Sequence, residues 1–378
     1  MTLDAPSLTA FPESVAQLRA TLGPTREAVV PLLPALAALD WVITLPNAAA
    51  PHFVYLAGAC GGVPVGGGGR DLDEAAGRLA GEAAEVLAQR AAPTLCTGQD
   101  DPAISAVWTN GRPHALVPAF NLTRDRHGAA PATAIHTDPV FDSERREDAP
   151  PRSLGLAAGS DPAAARLGGL LELIERDAAA RWWAGERRPR MLDAGQTVGA
   201  AADLVRLRSG AVLPGRGTSF LELASPTGLP VVCALSRDPD GRGLALGFKA
   251  ALGLRAATQA ALVELLQMEI GLEMARHRRA QGRSVPGDAG PLGRAALDPE
   301  AFAAFAALPP RLEARPSIAG LDDLVGHLAD LGYEATAVDL RPTGGLAVAK
   351  VFVPGLRPMP GGAERPQAGA PGERAELM

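Results

Sequence analysis

Two glutamates, Glu172 and Glu175, stand three apart in the segment LGGLLELIERDAAARWW (167–183). Leu167, Leu170, Leu171, Ile174, Ala178 and Trp182 recur at helical spacing and mark one buried face. On that wheel Glu175 falls between Leu171 and Trp182, beside the apolar stripe, and Glu172 lies next to it toward the outer edge. A carboxylate on the interior side of a helix must be paired, protonated or bound to a cation. The spacing therefore predicts a helix that holds negative charge close to the core.

The same couple recurs twice. AGEAAEVLA carries Glu82 and Glu85 beside a stripe of Leu79, Ala83, Val86 and Leu87, and AALVELLQMEIG carries Glu264 and Gln267 on the narrow polar strip of a helix that is otherwise apolar. Carboxylates converging from three helices repel one another unless cations compensate them. Oxygen donors with no His or Cys at ligand spacing favour hard cations, magnesium above all, and magnesium commonly brings nucleotide phosphates. The glycine run 66–69, Arg70 and the following helix N-terminus offer backbone amides and a cation for such phosphates. No GxxxxGK[ST] is present, so this is not a P-loop. Each feature also has a plainer reading: Glu172 with Arg176 as an i, i+4 ion pair, and the glycine run as a flexible connection.

The elements that must position these residues alternate along the chain. Helices are expected at 15–22, 25–38, 73–90, from the start signal Ser160-Asp161-Pro162 through 183, at 254–279 and at 321–331. Asp71 and Glu74 have the spacing of a capping box. Strands are expected from Trp41, and at 52–58, 107–120, 134–141, 219–223, 229–236, 243–248, 335–340 and 346–353, with a hairpin turn in RDPDGRG (237–243). The alternation argues for an α+β (mixed α/β) fold with mixed sheets. Residues 1–62 are expected to integrate with the main domain at 63–360, and 361–378 to form a Pro/Gly-rich flexible tail.

Composition narrows the function classes. A net charge of −6 over 378 residues, with no basic stripe, gives no argument for nucleic acid. Cys60, Cys96 and Cys233 have no CxxC spacing, which disfavours a zinc site or a disulfide framework and suits a reducing cytoplasm. No secretory signal is visible at the start, and Pro31, Pro34 and Asp40 break the most apolar early stretch, so neither export nor a membrane span is expected. The six histidines show no HExxH spacing, no GxSxG elbow exists, and Trp182-Trp183 reads as core packing.

Taken together, GGGGRDLDEA with GEAAE, SLGLAAGSDPAAARLGGLLELIERDAAARWW, GLPVVCALS with GFKAALG and AALVELLQME, and GYEATAVDL with VAKVFVPGL resemble the YcaO family, in the family's order. The resemblance implies a YcaO-type fold with long acidic helices around an ATP and Mg2+ site. It also implies activation of a peptide backbone amide, followed by attack of a neighbouring Cys, Ser or Thr side chain to give a thiazoline or oxazoline. Glu82 and Glu85 match the family's first acidic pair, Glu172 and Glu175 the second with Arg176 behind it, Glu264 and Gln267 the third helix, and Arg70 a basic residue before the first. The five glutamates are thereby expected to bind magnesium, Arg70 and Arg176 to contact phosphate, and Gln267 to support them. The sequence departs from the family's pattern at Arg78, Gly168 and Ala260, each one turn before a key glutamate, and at Val86; of the proline-rich ending it has Pro358 and Pro360. Implied partners are a ribosomal precursor peptide of the kind matured into bacteriocins and a separate leader-peptide-binding protein, with a homodimer left open. Thioamide formation with a sulfur-delivering partner and a non-catalytic scaffold derived from the family are the alternatives.

Overall fold

The computed structural model describes residues 33–111, 114–211, 215–283, 285–296, 307–311 and 315–358. The helix expected at 15–22 and the tail at 361–378 lie outside them, as does most of the helix expected at 25–38, of which α1 (Leu33–Ala37) is described. A three-stranded sheet follows, β1 (Trp41–Thr44), β2 (Val54–Cys60) and β3 (Val63–Gly69). Then come α2 (Leu72–Arg90), α3 (Pro102–Trp108), β4 (Leu116–Asn121), β5 (Arg126–Pro131), β6 (Leu156–Gly159) and α4 (Pro162–Trp183). The chain continues through β7 (Arg190–Met191), α5 (Ala194–Arg208), β8 (Gly217–Leu223), β9 (Val231–Arg237), β10 (Ala245–Ala250) and α6 (Leu254–Ala280). The last described elements are α7 (Ala289–Ala295), α8 (Leu321–Asp330), β11 (Thr336–Thr343) and β12 (Leu346–Phe352).

This is the α+β architecture expected, except that its sheets are antiparallel rather than mixed. Besides the first sheet, β10-β9-β8-β7 and β5-β4-β11-β12-β6 form sheets of four and five strands, antiparallel at every pairing. The long helices join them. α2 packs on β2 and β3 and reaches β6, α4 packs on β12, β6 and β10, and α6 packs on β10 and β9. Their apolar faces supply three core clusters: one around Leu79 and Ile104, one around Trp182, Trp183 and Phe248, and one around Leu262, Leu265 and Leu266. Trp182 stands edge-on to both Trp183 and Phe248, so the aromatic pair is core, as expected. Among the described residues no helix is long and apolar enough to cross a membrane.

Three further expectations are corrected. The strand expected at 107–120 begins as helix α3, because Asp101 caps it, accepting from Ala103 N and Ile104 N, and Pro102 opens it. The stretch 134–141 is no strand; it holds 3₁₀ turns at Ala132–Ala134 and Pro139–Glu144. The glycine run is neither a loose connection nor a loop but strand β3, paired with β2 from Val63 to Gly69. Its glycines let the strand run flush against α2, since a Cβ at Gly67 would lie 2.2 Å from Ala75 O and one at Gly69 2.4 Å from Ala75 N. The capping box is half formed: Asp71 accepts from Glu74 N, whereas Glu74 turns back to Arg70 N.

Candidate functional site

The acidic couples of α2, α4 and α6 face one another across two adjoining cavities of about 550 and 540 Å³. Glu82, Glu85, Arg176 and Lys249 line both cavities, Glu172 and Gly168 the first alone, and Glu264, Gln267 and Arg78 the second alone. Each element presents its carboxylate for a local reason. β3 hugs α2, so Gly66 N donates to Glu82 Oε2 at 2.7 Å. β6 ends beside α2, and Ala158 N donates to Glu85 Oε1 at 3.0 Å. Gly155, with φ of 73°, turns its N–H onto Glu172 Oε2 at 2.9 Å. At the end of β10, Ala250 N donates to Glu175 Oε2 at 3.3 Å.

Glu175 is 0 % exposed and its Oε1 has no hydrogen-bond partner. Burial pushes its carboxyl up from the ordinary range, even though the Lys249 ammonium nearby favours the charged form. Arg176 lies 3.7 Å from Glu175 and 3.6 Å from Glu172, so the i, i+4 ion pair is present inside the larger cluster. Burial opposes the charge of Arg176, but Glu175, Glu172 and Glu264 outweigh it and hold its pKa up. Lys249 Nζ is 3.0 Å from Glu264 Oε1 and 3.6 Å from Glu175 Oε2. Gln267 hydrogen-bonds the Tyr55 hydroxyl; burial first, and Glu82 next, push that phenol up to about 12.

Burial, reinforced by Glu172, moves the Glu85 carboxyl up to about 8. The native state therefore keeps a proton that the unfolded chain has released above its ordinary carboxylate value. Stability without metal is expected to fall as pH rises from about 4.5 to about 8 and to level off beyond, and Glu85→Gln should remove that part of the slope. Thermal melts in EDTA across this range compare the two proteins. Parallel curves would show that Glu85 ionises normally.

Seven of the eight expected site residues thus come together, six of them lining the cavities and Glu175 buried behind them against Arg176 and Lys249. Arg70 does not line either cavity: its guanidinium is held by Glu74 at 2.9 Å and by Asp203 at 3.2 Å. Arg78, one turn before Glu82, lines the second cavity and also pairs with Glu74 at 3.0 Å. Sequence reasoning passed over Lys249, although a lone lysine inside the apolar strand ALGFKA was a legible signal. It passed over Lys350 as well. That side chain is 0 % exposed, donates to the carbonyls of Arg152 and Leu154, and lies 4.5 Å from the Trp108 ring centre. Lys350 thereby anchors the turn that leads to Gly155 beneath Glu172, and burial lowers its pKa to about 7.

Four carboxylates and three cations line the cavities and Glu175 lies buried behind them, so the carboxylates outnumber the cations five to three, and an all-oxygen donor set suits magnesium. Among the described residues no three His, Cys, Asp or Glu side chains are grouped closely enough to hold one ion by themselves. That fits magnesium, which usually takes one or two carboxylates and completes its shell with waters and phosphates.

The fold and site together define an acidic, three-helix cleft of the kind that holds a nucleotide through divalent ions. Residues 68–357 match the family described as YcaO cyclodehydratase, ATP- and Mg2+-binding, and the chain belongs to that family. No curated protein sequence matches it. Among solved structures it is similar to a heterocyclase in complex with substrate and cofactor, at 19 % identity and a TM-score of 0.69, covering 92 % of this chain and 52 % of that one. It therefore spans about half the length of that heterocyclase. It is also similar to YcaO from Methanopyrus kandleri bound with AMPPCP and Mg2+, at 21 % identity and a TM-score of 0.64, covering 91 % of each chain. A third likeness is to the E. coli microcin synthetase McbBCD complex, at 16 % identity and a TM-score of 0.60, covering 83 % of this chain and 87 % of that one. At these identities the structural likenesses establish the fold.

Proposed function

We propose that this chain uses ATP and Mg2+ to activate backbone amides of a ribosomally made precursor peptide, converting Cys, Ser or Thr residues to thiazolines or oxazolines. The observation that carries this reading is the convergence of Glu82, Glu85, Glu172 and Glu264, from three helices, on two joined cavities inside a YcaO fold, with Glu175 buried behind them against Lys249 and Arg176. Glu82, Glu85 and Glu172 would hold divalent ions, each already fixed through one oxygen by a backbone N–H. Arg176 would face phosphate and offset the charge that builds up during transfer. Gln267 and Tyr55 would brace the far wall. ATP with magnesium, when bound, supplies the phosphoryl group that carries the amide oxygen away. Removal of that oxygen as phosphate, with ring closure by the neighbouring side chain, leaves the peptide lighter by one water.

Support for peptide and partner comes from the microcin synthetase complex, whose fold is shared and which has been seen with pro-MccB17 bound. The domain arrangement proposed is a catalytic unit over 63–360, to which 1–62 contributes the strands β1 and β2. The test incubates the chain with ATP, Mg2+, a candidate precursor peptide and its leader-binding partner. ADP release together with loss of water from the peptide is expected. Exchange of oxygen for sulfur would assign thioamide formation instead, and absence of nucleotide turnover with every candidate would favour a scaffold.

A further inference from the structure

Lys249 occupies a position that the acidic cluster would otherwise offer to a metal ion. Its strand is buried throughout except at this residue. Two residues earlier on the same face, Gly247 lets β10 touch α6, where a Cβ would lie 2.2 Å from Leu265 N. That contact sets the root of the lysine beside Glu264, the residue preceding Leu265. The ammonium then bridges α6 and α4, 3.0 Å from Glu264 Oε1 and 3.6 Å from Glu175 Oε2. Glu175 is fully buried, with Arg176 3.7 Å from its Oε1 and Lys249 on the side of its Oε2, so charge on this carboxyl depends on the cations beside it.

We propose that Lys249 is a resident cation standing in for a divalent ion between Glu175 and Glu264, so that this chain's site takes one metal ion fewer than its carboxylates would otherwise bind. The inference rests on the ATP and magnesium reading for its meaning, but the charge argument is independent of nucleotide. An ammonium brings one positive charge and three donors, whereas a magnesium ion sits about 2.0–2.1 Å from its oxygens and brings two charges. Both cannot occupy the gap, because like charges at that distance repel and the lysine fills the space. The ammonium is also covalently tethered. It therefore holds α4 and α6 together before any ligand arrives, and the ions that accompany a nucleotide fall to Glu82 and Glu85 on α2 and Glu172 on α4, which line the first cavity.

The test counts Mn2+ bound per chain, by the electron paramagnetic resonance signal of the free ion, for wild type, Lys249→Met and Lys249→Arg. Lys249→Gln substitutes for the Met variant if the latter does not fold. The neutral variant is expected to bind one more Mn2+ per chain than wild type and to gain more thermal stability from added Mn2+. Lys249→Arg, which keeps the charge, should match wild type. Equal counts in the neutral variant and wild type overturn the inference. A second arm adds AMPPCP: if wild type binds no Mn2+–AMPPCP while the neutral variant still gains its ion, the inference stands and the nucleotide reading falls. If neither protein binds Mn2+ under either condition, both fall.

Discussion

Glu175→Gln is expected to lower the proposed ATP turnover by about 10²–10³-fold or more and to leave a folded protein. Glutamine has the shape of glutamate and still accepts the N–H of Ala250, so the packing of α4 against β10 survives. The change removes the one carboxylate that both Lys249 and Arg176 approach, at 3.6 and 3.7 Å. Lys249 then keeps Glu264 and Arg176 keeps Glu172, but the negative charge they share is gone, and the excess positive charge opposes a divalent ion nearby. Glu172→Gln should act similarly, through direct loss of a donor that lines the first cavity. Mg2+-dependent nucleotide binding should be lost with turnover, and circular dichroism should be unchanged. Normal turnover in both variants would reduce Glu172, Glu175 and Arg176 to a structural ion-pair cluster.

The second large effect is on packing. Gly67→Ala puts a methyl group 2.2 Å from Ala75 O and 2.5 Å from Leu79 N, both of them backbone atoms in the first half of α2. Neither can rotate aside as a side chain would, so the helix must move away from the strand. Overpacking of this kind costs about 3 kcal/mol or more when backbone must shift. The shift would also carry Glu82 off the N–H of Gly66 and Glu85 off that of Ala158. Chemical denaturation should show the loss of stability, and the surviving folded fraction should bind nucleotide weakly. Wild-type stability would mean that β3 and α2 are less closely packed than the structure has them.

Two of the long helices, α2 and α4, were legible because two signals agreed on each, whereas α6 was read from its apolar run alone and starts at Gly253 with no side-chain cap. α4 has an apolar stripe and the cap Asp161, whose side chain accepts from Ala164 N, followed by Pro162. α2 has its stripe and the Asp71 cap. Placement of Glu175 inside and Glu172 at the edge followed from helical geometry, and the side chains are 0 % and 25 % exposed. Where the pattern was short or mixed, it misled. α5 went unread, although Asp193 and Gln196 form a complete capping box, because Gly195, Thr197 and Gly199 blur its apolar period. β6 is four residues of Leu, Ala and Gly, with no strand propensity to announce it, yet it delivers the Ala158 N–H to Glu85. The glycine run carried no hint of α2 lying across it, since close approach of two elements is a tertiary fact. Lys249 is the instructive omission: glutamates were paired along helices, while their counter-charge came from a strand 15 residues before Glu264.

The central claim is that these three helices form a magnesium-dependent nucleotide site, and calorimetric titration of the full chain with AMPPCP, with and without Mg2+, tests it most directly. Saturable binding in the presence of Mg2+, lost in EDTA and in Glu175→Gln, is the result this structure leads us to expect. Binding that is absent with Mg2+, or that persists unchanged without it, would contradict the claim.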